Sequence, residues 1–329
     1  MTLKGLPPEI VRIANDIRDM RIRGAGRIAR AAAEALKIAA ENYRGPERAS
    51  EFVDYMNKVG EYLKSTRPTA VSLPNAVGYV LTRVNQALVK GLSLEEMKRI
   101  AIESAVNFIE ISIRAVKLIG EIGAKIISDG ETILTHCNSS AAISILSHAK
   151  MQGKDLEVYA TETRPKFQGY ITFKALRNLS IKAKIIPDSA VRYIMKEVDR
   201  VIVGADAVAA NGAVVNKIGT SLIALAAHEA RVRVFVAAES YKFSPATVLG
   251  ELVVIEERSP LEVVPEDFVK SYPNVTIRNP AFDVTPPEYI DAIITEKGLI
   301  PPKAAILVLT EEYGRVIEEE LTRISPEEL

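Results

Sequence analysis

The spacing of apolar positions changes once along the chain. From residue 8 to about 127 they recur at helical intervals, as in Ile10, Ile13, Ala14 and Ile17 and then Ile28, Ala31, Ala32 and Leu36. This predicts helices that each bury one stripe. Further helices are expected at about 48–65, 75–90 and 94–127. A loop at 65–70 carrying Arg67-Pro68 interrupts them, because proline and the residue before it both resist helix. From about 130 the pattern becomes short β-branched runs at 132–135, 157–160, 183–186, 200–203, 232–237 and 252–255, alternating with helical stretches. Strands separated by helix-length connections imply βαβ units and a mostly parallel sheet. The expected fold is therefore α/β: an all-helical N-terminal domain, 1–127, followed by a Rossmann-like parallel-sheet domain, 128–329. The acidic run Glu318, Glu319 and Glu320 reads as a solvated helix face.

Composition narrows the class. Length suits about two domains, and 48% apolar with 26% charged residues is ordinary for a globular enzyme. The 42 basic and 42 acidic residues cancel, which argues against a nucleic-acid protein held by bulk phosphate attraction and leaves only local cationic pockets. A single cysteine excludes an internal disulfide, and the natural reading is a reducing, cytoplasmic compartment. The stretch Met1–Glu9 has no signal-peptide core, and charges interrupt every long apolar run, so no membrane association is expected.

That cysteine, Cys137, falls where the 132–135 strand hands over to an Ala/Ile/Leu-rich helix, with Asn138, Ser139 and Ser140 as N-cap side chains. A thiol at a helix N-terminus feels the positive end of the dipole, which favours thiolate. In open α/β sheets, ligands bind outside the carboxyl ends of strands. A lone cysteine is also, commonly, a small buried hydrophobe. Position alone leaves both readings open.

Other segments sharpen the choice. Thr161-Glu162-Thr163-Arg164-Pro165 follows the second strand, with Lys166, Gln168 and Gly169 soon after. Val201-Ile202-Val203-Gly204-Ala205-Asp206 sets a carboxylate just beyond another strand. Strand-end logic brings Cys137, Arg164 and Asp206 to one edge of the sheet. Taken singly, Asp206 is more often a cap or turn residue. Lys217, in Asn216-Lys217-Ile218-Gly219-Thr220 after the Asn211-Gly212 turn signal, is singly a surface residue. The cluster is more specific than its members.

In the helical half, Arg21-Ile22-Arg23-Gly24-Ala25-Gly26-Arg27 joins two helices. It reads as an anion cradle of free N–H groups, helix dipole and guanidinium forks, or as a plain interhelical turn. Arg23, Arg27, Arg67, Arg164, Lys217 and Lys242 together are more cations than one phosphate needs; two phosphates use them better. Other chemistries fare poorly. His136, His148 and His228 lack metal-site spacing with Cys137, no Gly-x-Gly-x-x-Gly follows a strand, no Walker loop occurs, and no base is pointed at Cys137 for hydrolysis. His136 reads as a satisfied packing histidine, since it alternates with Cys137 across the strand.

In chain order, Arg23-Gly24-Ala25-Gly26, Thr66-Arg67-Pro68-Thr69, Thr135-His136-Cys137, Thr161-Glu162-Thr163-Arg164-Pro165, Gly204-Ala205-Asp206, Asn216-Lys217-Ile218-Gly219-Thr220 and Asn279-Pro280-Ala281-Phe282-Asp283-Val284-Thr285-Pro286 span almost the whole sequence. The series resembles the family that unites the regulatory α, β and δ subunits of initiation factor 2B with methylthioribose-1-phosphate isomerase and archaeal ribose-1,5-bisphosphate isomerase. Arg-Gly-Ala-Gly and the Thr-Arg-Pro-Thr-Ala-Val-Ser-Leu-Pro-Asn run look like the bisphosphate isomerase branch. Methylthioribose-1-phosphate isomerases typically carry Arg-Gly-Ala-Pro, and regulatory subunits generally lack the Cys/Asp pair.

The resemblance implies conversion of α-D-ribose 1,5-bisphosphate to D-ribulose 1,5-bisphosphate in nucleotide ribose salvage feeding Rubisco, without metal or redox cofactor. It implies a site between a helical and a Rossmann-like domain, and a dimer-based homo-oligomer, a hexamer. Cys137 is then the base for the C2 proton and Asp206 the acid for the ring oxygen, which requires a carboxyl kept protonated by desolvation. Arg23, Gly24, Ala25, Gly26 and Arg67 hold one phosphate and Lys242 contributes to the other. Asn216 and Lys217 hold substrate oxygens, and Asn138, Ser139 and Arg164 line the pocket. The rivals are a methylthioribose-1-phosphate isomerase and a non-catalytic regulatory subunit.

Overall fold

The computed structural model describes residues 6–323, apart from the side chains of 315–317 and 319–323; Met1–Gly5, Glu319 and Glu320 thus lie outside the described residues, and Glu318 is exposed. By internal packing the chain divides into two units, 1–114 and 115–329.

The first unit is helical: α1 (Pro8–Arg18), α2 (Ala25–Glu41), α3 (Ala49–Lys64), α4 (Ser72–Val89) and the first part of α5 (Leu94–Ala124). Each buries the stripe its periodicity predicts. On α2 this is Ile28, Ala29, Ala32, Ala33, Ala35, Leu36, Ala39 and Ala40. The small side chains on α2 let α4 lie close against it, and Gly60 of α3 leaves no room for a Cβ beside Val77 and Leu81 of α4.

The second unit alternates strand and helix: β1 (Thr132–Thr135), α6 (Ser140–Met151), β2 (Glu157–Thr161), α7 (Gly169–Asn178), β3 (Lys182–Ile186), α8 (Val191–Ile194), β4 (Arg200–Gly204), β5 (Ala207–Val208), β6 (Val214–Lys217), α9 (Thr220–Ala230), β7 (Arg233–Ala237), α10 (Glu266–Ser271), β8 (Phe282–Thr285), β9 (Ala292–Thr295), β10 (Gly298–Ile300) and α11 (Ala305–Arg323). Seven strands form one sheet in the order β10-β9-β7-β4-β1-β2-β3, parallel except for edge strand β10. Because side chains alternate along a strand, Leu134, Tyr159, Val201, Val203, Val234, Val236 and Ile293 enter a core with α9 and α11. Ile133, Val158, Ile202, Phe235 and Ile294 enter a second core on the other face, with α6 and the end of α5. Both faces are covered, as a parallel sheet requires. Among the described residues no helix is long and apolar enough to cross a membrane.

One expected strand is absent. Residues 252–255 form no ladder, and Leu252 and Val254 are 89% and 68% exposed. The position beside β7 is taken by β9, whose Ile293 and Ile294 are fully buried. An apolar run becomes a strand only where a partner edge remains open, and that pairing is nonlocal. A separate three-stranded antiparallel sheet, β5-β6-β8, also went unread. Its β5–β6 hairpin turns at Asn211-Gly212, with Gly212 at φ 86.

Leu134 is fully buried in a central strand. Leu134→Ala is expected to cost about 2–5 kcal/mol, read as a lower urea midpoint at unchanged slope. A loss below about 1 kcal/mol would show that this face of the sheet is not the core.

Candidate active site

Strand order reverses direction between β1 and β4, with β2 and β3 to one side and β7 and β9 to the other. Such a switch point, at the carboxyl ends of the strands, is where open α/β sheets bind ligands. Cys137 follows β1 and Asp206 follows β4, so both stand at it. Gly204 is packed so closely on Ser139 that a Cβ there would collide with the serine side chain, which brings the two loops into contact.

Cys137 has a left-handed backbone, φ 63, uncommon for a residue with a Cβ. Two threonines hold it: its N–H donates to Thr163 Oγ1 at 2.9 Å, and its carbonyl accepts from Thr172 Oγ1 at 2.7 Å. Ser139 is the N-cap of α6, its Oγ accepting from the Ala142 N–H at 3.2 Å. Asn138 is exposed and accepts from Thr172 Oγ1 at 3.2 Å. The helix terminus favours a thiolate at Cys137, and burial acts in the opposite direction. Burial pushes the thiol up to about 11; Lys217 pulls it down, Asp206 raises it, and the Asn138 N–H and Arg258 also lower it. Burial acts on the sulfur directly, and α6 starts only at Ser140, so Cys137 precedes its first turn.

Lys217 ends β6 and is buried, its Nζ donating to the Ala281 carbonyl at 2.7 Å and lying 4.5 Å from the Phe282 ring centroid. Burial lowers its pKa, Arg258 adds to that, and Cys137, Asp206 and Glu256 oppose it. These mutual influences make Cys137, Asp206, Lys217 and Arg258 one electrostatic cluster. Asn216 is buried beside it, donating to Thr220 Oγ1 at 3.0 Å. His136 is enclosed and hydrogen-bonded through both ring nitrogens, as the packing reading expects. Among the described residues no group of His, Cys, Asp or Glu is arranged to hold a metal ion.

Arg164 is exposed, its guanidinium 3.5 Å from the Val263 carbonyl and 5.2 Å from the Phe167 ring centroid. Lys242 is buried and paired with Glu239 at 2.6 Å. In the helical unit, Gly24 (φ 88) is the N-cap of α2 and supplies no side-chain cap, which leaves first-turn N–H groups at Ala25 and Gly26 to an anion. Arg23 and Arg27 are exposed on either side. Arg67 Nη1 lies 3.0 Å from Met20 Sδ, and Ser72 Oγ donates to the Ala25 carbonyl at 2.9 Å, so the Arg67 loop and this turn meet.

Two residues were missed. Arg258 lies in an irregular excursion between β7 and β8, where no periodicity marks it. It reaches the cluster because 256–258 pairs with 279–281, through Arg258 N–H to the Asn279 carbonyl and Ala281 N–H to the Glu256 carbonyl. Its Nε bonds Glu256 at 3.0 Å. Asp283, within the quoted Asn279–Pro286 motif, accepts from the Gly219 and Ser221 N–H groups at 2.8 and 3.1 Å. Burial pushes it up to about 6 against those bonds.

The sequence model of the initiation factor 2 subunit family matches residues 21–302. A Thermococcus kodakarensis protein named ribose 1,5-bisphosphate isomerase is 53% identical over 307 residues, 93% of this chain and 95% of that protein. Among solved structures, the translation initiation factor eIF-2B of Pyrococcus horikoshii OT3 superposes with a TM-score of 0.78 at 32% identity, covering 92% of this chain and all of that one. The 5-methylthioribose 1-phosphate isomerase of the same organism gives a TM-score of 0.71 at 30% identity, covering 93% of this chain and 88% of that one. A switch-point Cys/Asp pair, a desolvated lysine and a family match across most of the sequence converge on one conclusion: this chain belongs to the initiation factor 2 subunit family.

Proposed function

We propose that the protein isomerises α-D-ribose 1,5-bisphosphate to D-ribulose 1,5-bisphosphate. The observation that carries this reading is the coupled Cys137, Asp206 and Lys217 cluster, in a chain 53% identical to a protein named for that reaction. With its pKa near 11 the thiol holds a proton at neutral pH. On binding, that proton passes to Asp206, making Cys137 the base and Asp206 the acid. Asp206 protonates the ring oxygen and the bond from that oxygen to C1 breaks. Cys137 takes the C2 proton, leaving an enol across C1 and C2. Asp206 then takes the O2 proton while Cys137 returns a proton to C1, and the ketone forms with both groups reset. The pair carries one negative charge before ring opening and again after the C2 proton has moved; Lys217 and Arg258 offset the second negative charge that it holds between those steps, once Asp206 has given up its proton.

Arg23, Gly24, Ala25, Gly26 and Arg67 are assigned one phosphate, and Lys242, exchanging Glu239 for substrate, the other. Asn216 and Lys217 hold substrate oxygens; Asn138, Ser139 and Arg164 line the approach. No metal or redox cofactor enters this scheme. The functional division is placed at 127/128. The reaction belongs to nucleotide ribose salvage feeding Rubisco, in a cytoplasmic homo-oligomer built from dimers, a hexamer, as the family pattern supports.

The test is incubation with α-ribose 1,5-bisphosphate in D2O, and with methylthioribose 1-phosphate in parallel, followed by NMR. Ribulose 1,5-bisphosphate in the first tube, with deuterium at C1, is the expected result. Product without deuterium would replace the enol route by a hydride shift or a shielded proton. Turnover only in the second tube would assign the methylthioribose reaction, and none in either would leave a regulatory subunit.

A further inference from the structure

The proton-transfer scheme makes no use of His136. The ring is fully enclosed, and its Nε2 lies 2.9 Å from the Ile218 carbonyl, which only accepts; Nε2 therefore carries the hydrogen. Nδ1, 2.5 Å from Thr161 Oγ1, accepts that hydroxyl. Burial pushes the ring pKa down to about 4, with Asp188, 4.0 Å from Nδ1, opposing and Lys217 adding, so the ring is neutral. On one side Thr161 Oγ1 stands 3.4 Å from Thr163 Oγ1, the atom that accepts the Cys137 N–H. On the other side Ile218 follows Lys217, and Gly219 (φ 102) packs against the ring so tightly that a Cβ would sit 3.2 Å from His136 Cε1.

We propose that His136 is a positioning residue whose two ring nitrogens hold the Cys137 turn and the Lys217 loop at their working separation. One imidazole thus bonds the ends of two chain segments, β2 at Thr161 and the β6–α9 loop at Ile218, from its place just after β1. The inference rests on the isomerase reading for its catalytic meaning, and its test does not. Cys137 is the only cysteine in the chain, so alkylation by iodoacetamide reports on this thiol alone whatever the substrate is.

His136→Asn retains a partner for Thr161 near Nδ1 and removes the donor to Ile218. His136→Gln reaches the Nε2 position and removes the acceptor for Thr161. If the Ile218 bond holds Lys217 beside the thiol, His136→Asn slows alkylation at pH 9 about tenfold, since the thiolate fraction drops with each unit of pKa. The same substitution in a Lys217→Met background causes no further slowing, because the charge it displaces is gone. His136→Gln leaves alkylation within about twofold of wild type, and its kcat falls while KM holds; for His136→Asn, KM rises as well. Equal slowing by His136→Asn with or without Lys217, or no slowing in variants that melt within a few degrees of wild type, would overturn the proposal. Failure of turnover with wild-type alkylation behaviour intact would overturn the isomerase reading instead.

Discussion

Cys137→Ser lowers kcat by about a thousandfold and leaves KM within about threefold. A hydroxyl is a far weaker acid than a thiol, so the group assigned to take the C2 proton and return it to C1 is lost; general acid–base groups are typically worth about 10²–10⁴, roughly 3–5 kcal/mol. The left-handed turn survives the change because its ties are backbone ones, N–H to Thr163 and carbonyl from Thr172. The residues assigned to the phosphates do not include Cys137, so binding is expected to stay intact. Steady-state kinetics on ribose 1,5-bisphosphate read the split. Turnover near the wild-type rate would remove Cys137 from the proton path.

Asp206→Asn gives a similar loss in kcat, about 10²–10⁴, with an opposite signature at the thiol. Asp206 raises the Cys137 pKa by like-charge repulsion, so removing its charge lets the thiol ionise more readily, and iodoacetamide reacts faster while turnover falls. The amide is nearly isosteric, and the backbone bond from Asp206 N–H to the Val215 carbonyl at 2.9 Å remains. A residue that only shaped the turn would lower the melting temperature and leave kcat within about threefold. Faster alkylation together with unchanged kcat would make Asp206 an electrostatic neighbour with no share in proton transfer.

The site shows how far local pattern carries. β1, β2 and β4 ended where β-branched runs ended, within a residue, because buried parallel strands read as continuous apolar segments. From that, Cys137 and Asp206 follow at one sheet edge. Ser139 as N-cap is likewise a local matter. The segment 252–255 has the same composition as a strand and fails as one, since strand formation depends on a partner edge that β9 occupies. Arg258 and Asp283 join the cluster through pairings with chain segments more than twenty residues away, Arg258 with the strand approach at Asn279 and Asp283 with Gly219. No periodicity announces such pairings.

Sequence alone determined most of the helices and parallel strands and where they end, because helix and strand periods, prolines, glycines and capping side chains act over a few residues; the fate of 252–255 and the β5-β6-β8 sheet lay beyond it. The order of motifs likewise determined the family. Only the tertiary structure decided the acid strength of the thiol, the desolvation of Lys217, the pairing of Lys242 with Glu239 and the two partners of His136. Those depend on burial and on charge separation in space. Neither is encoded at any one position, and at Cys137 burial acts against the direction that the helix terminus by itself favours.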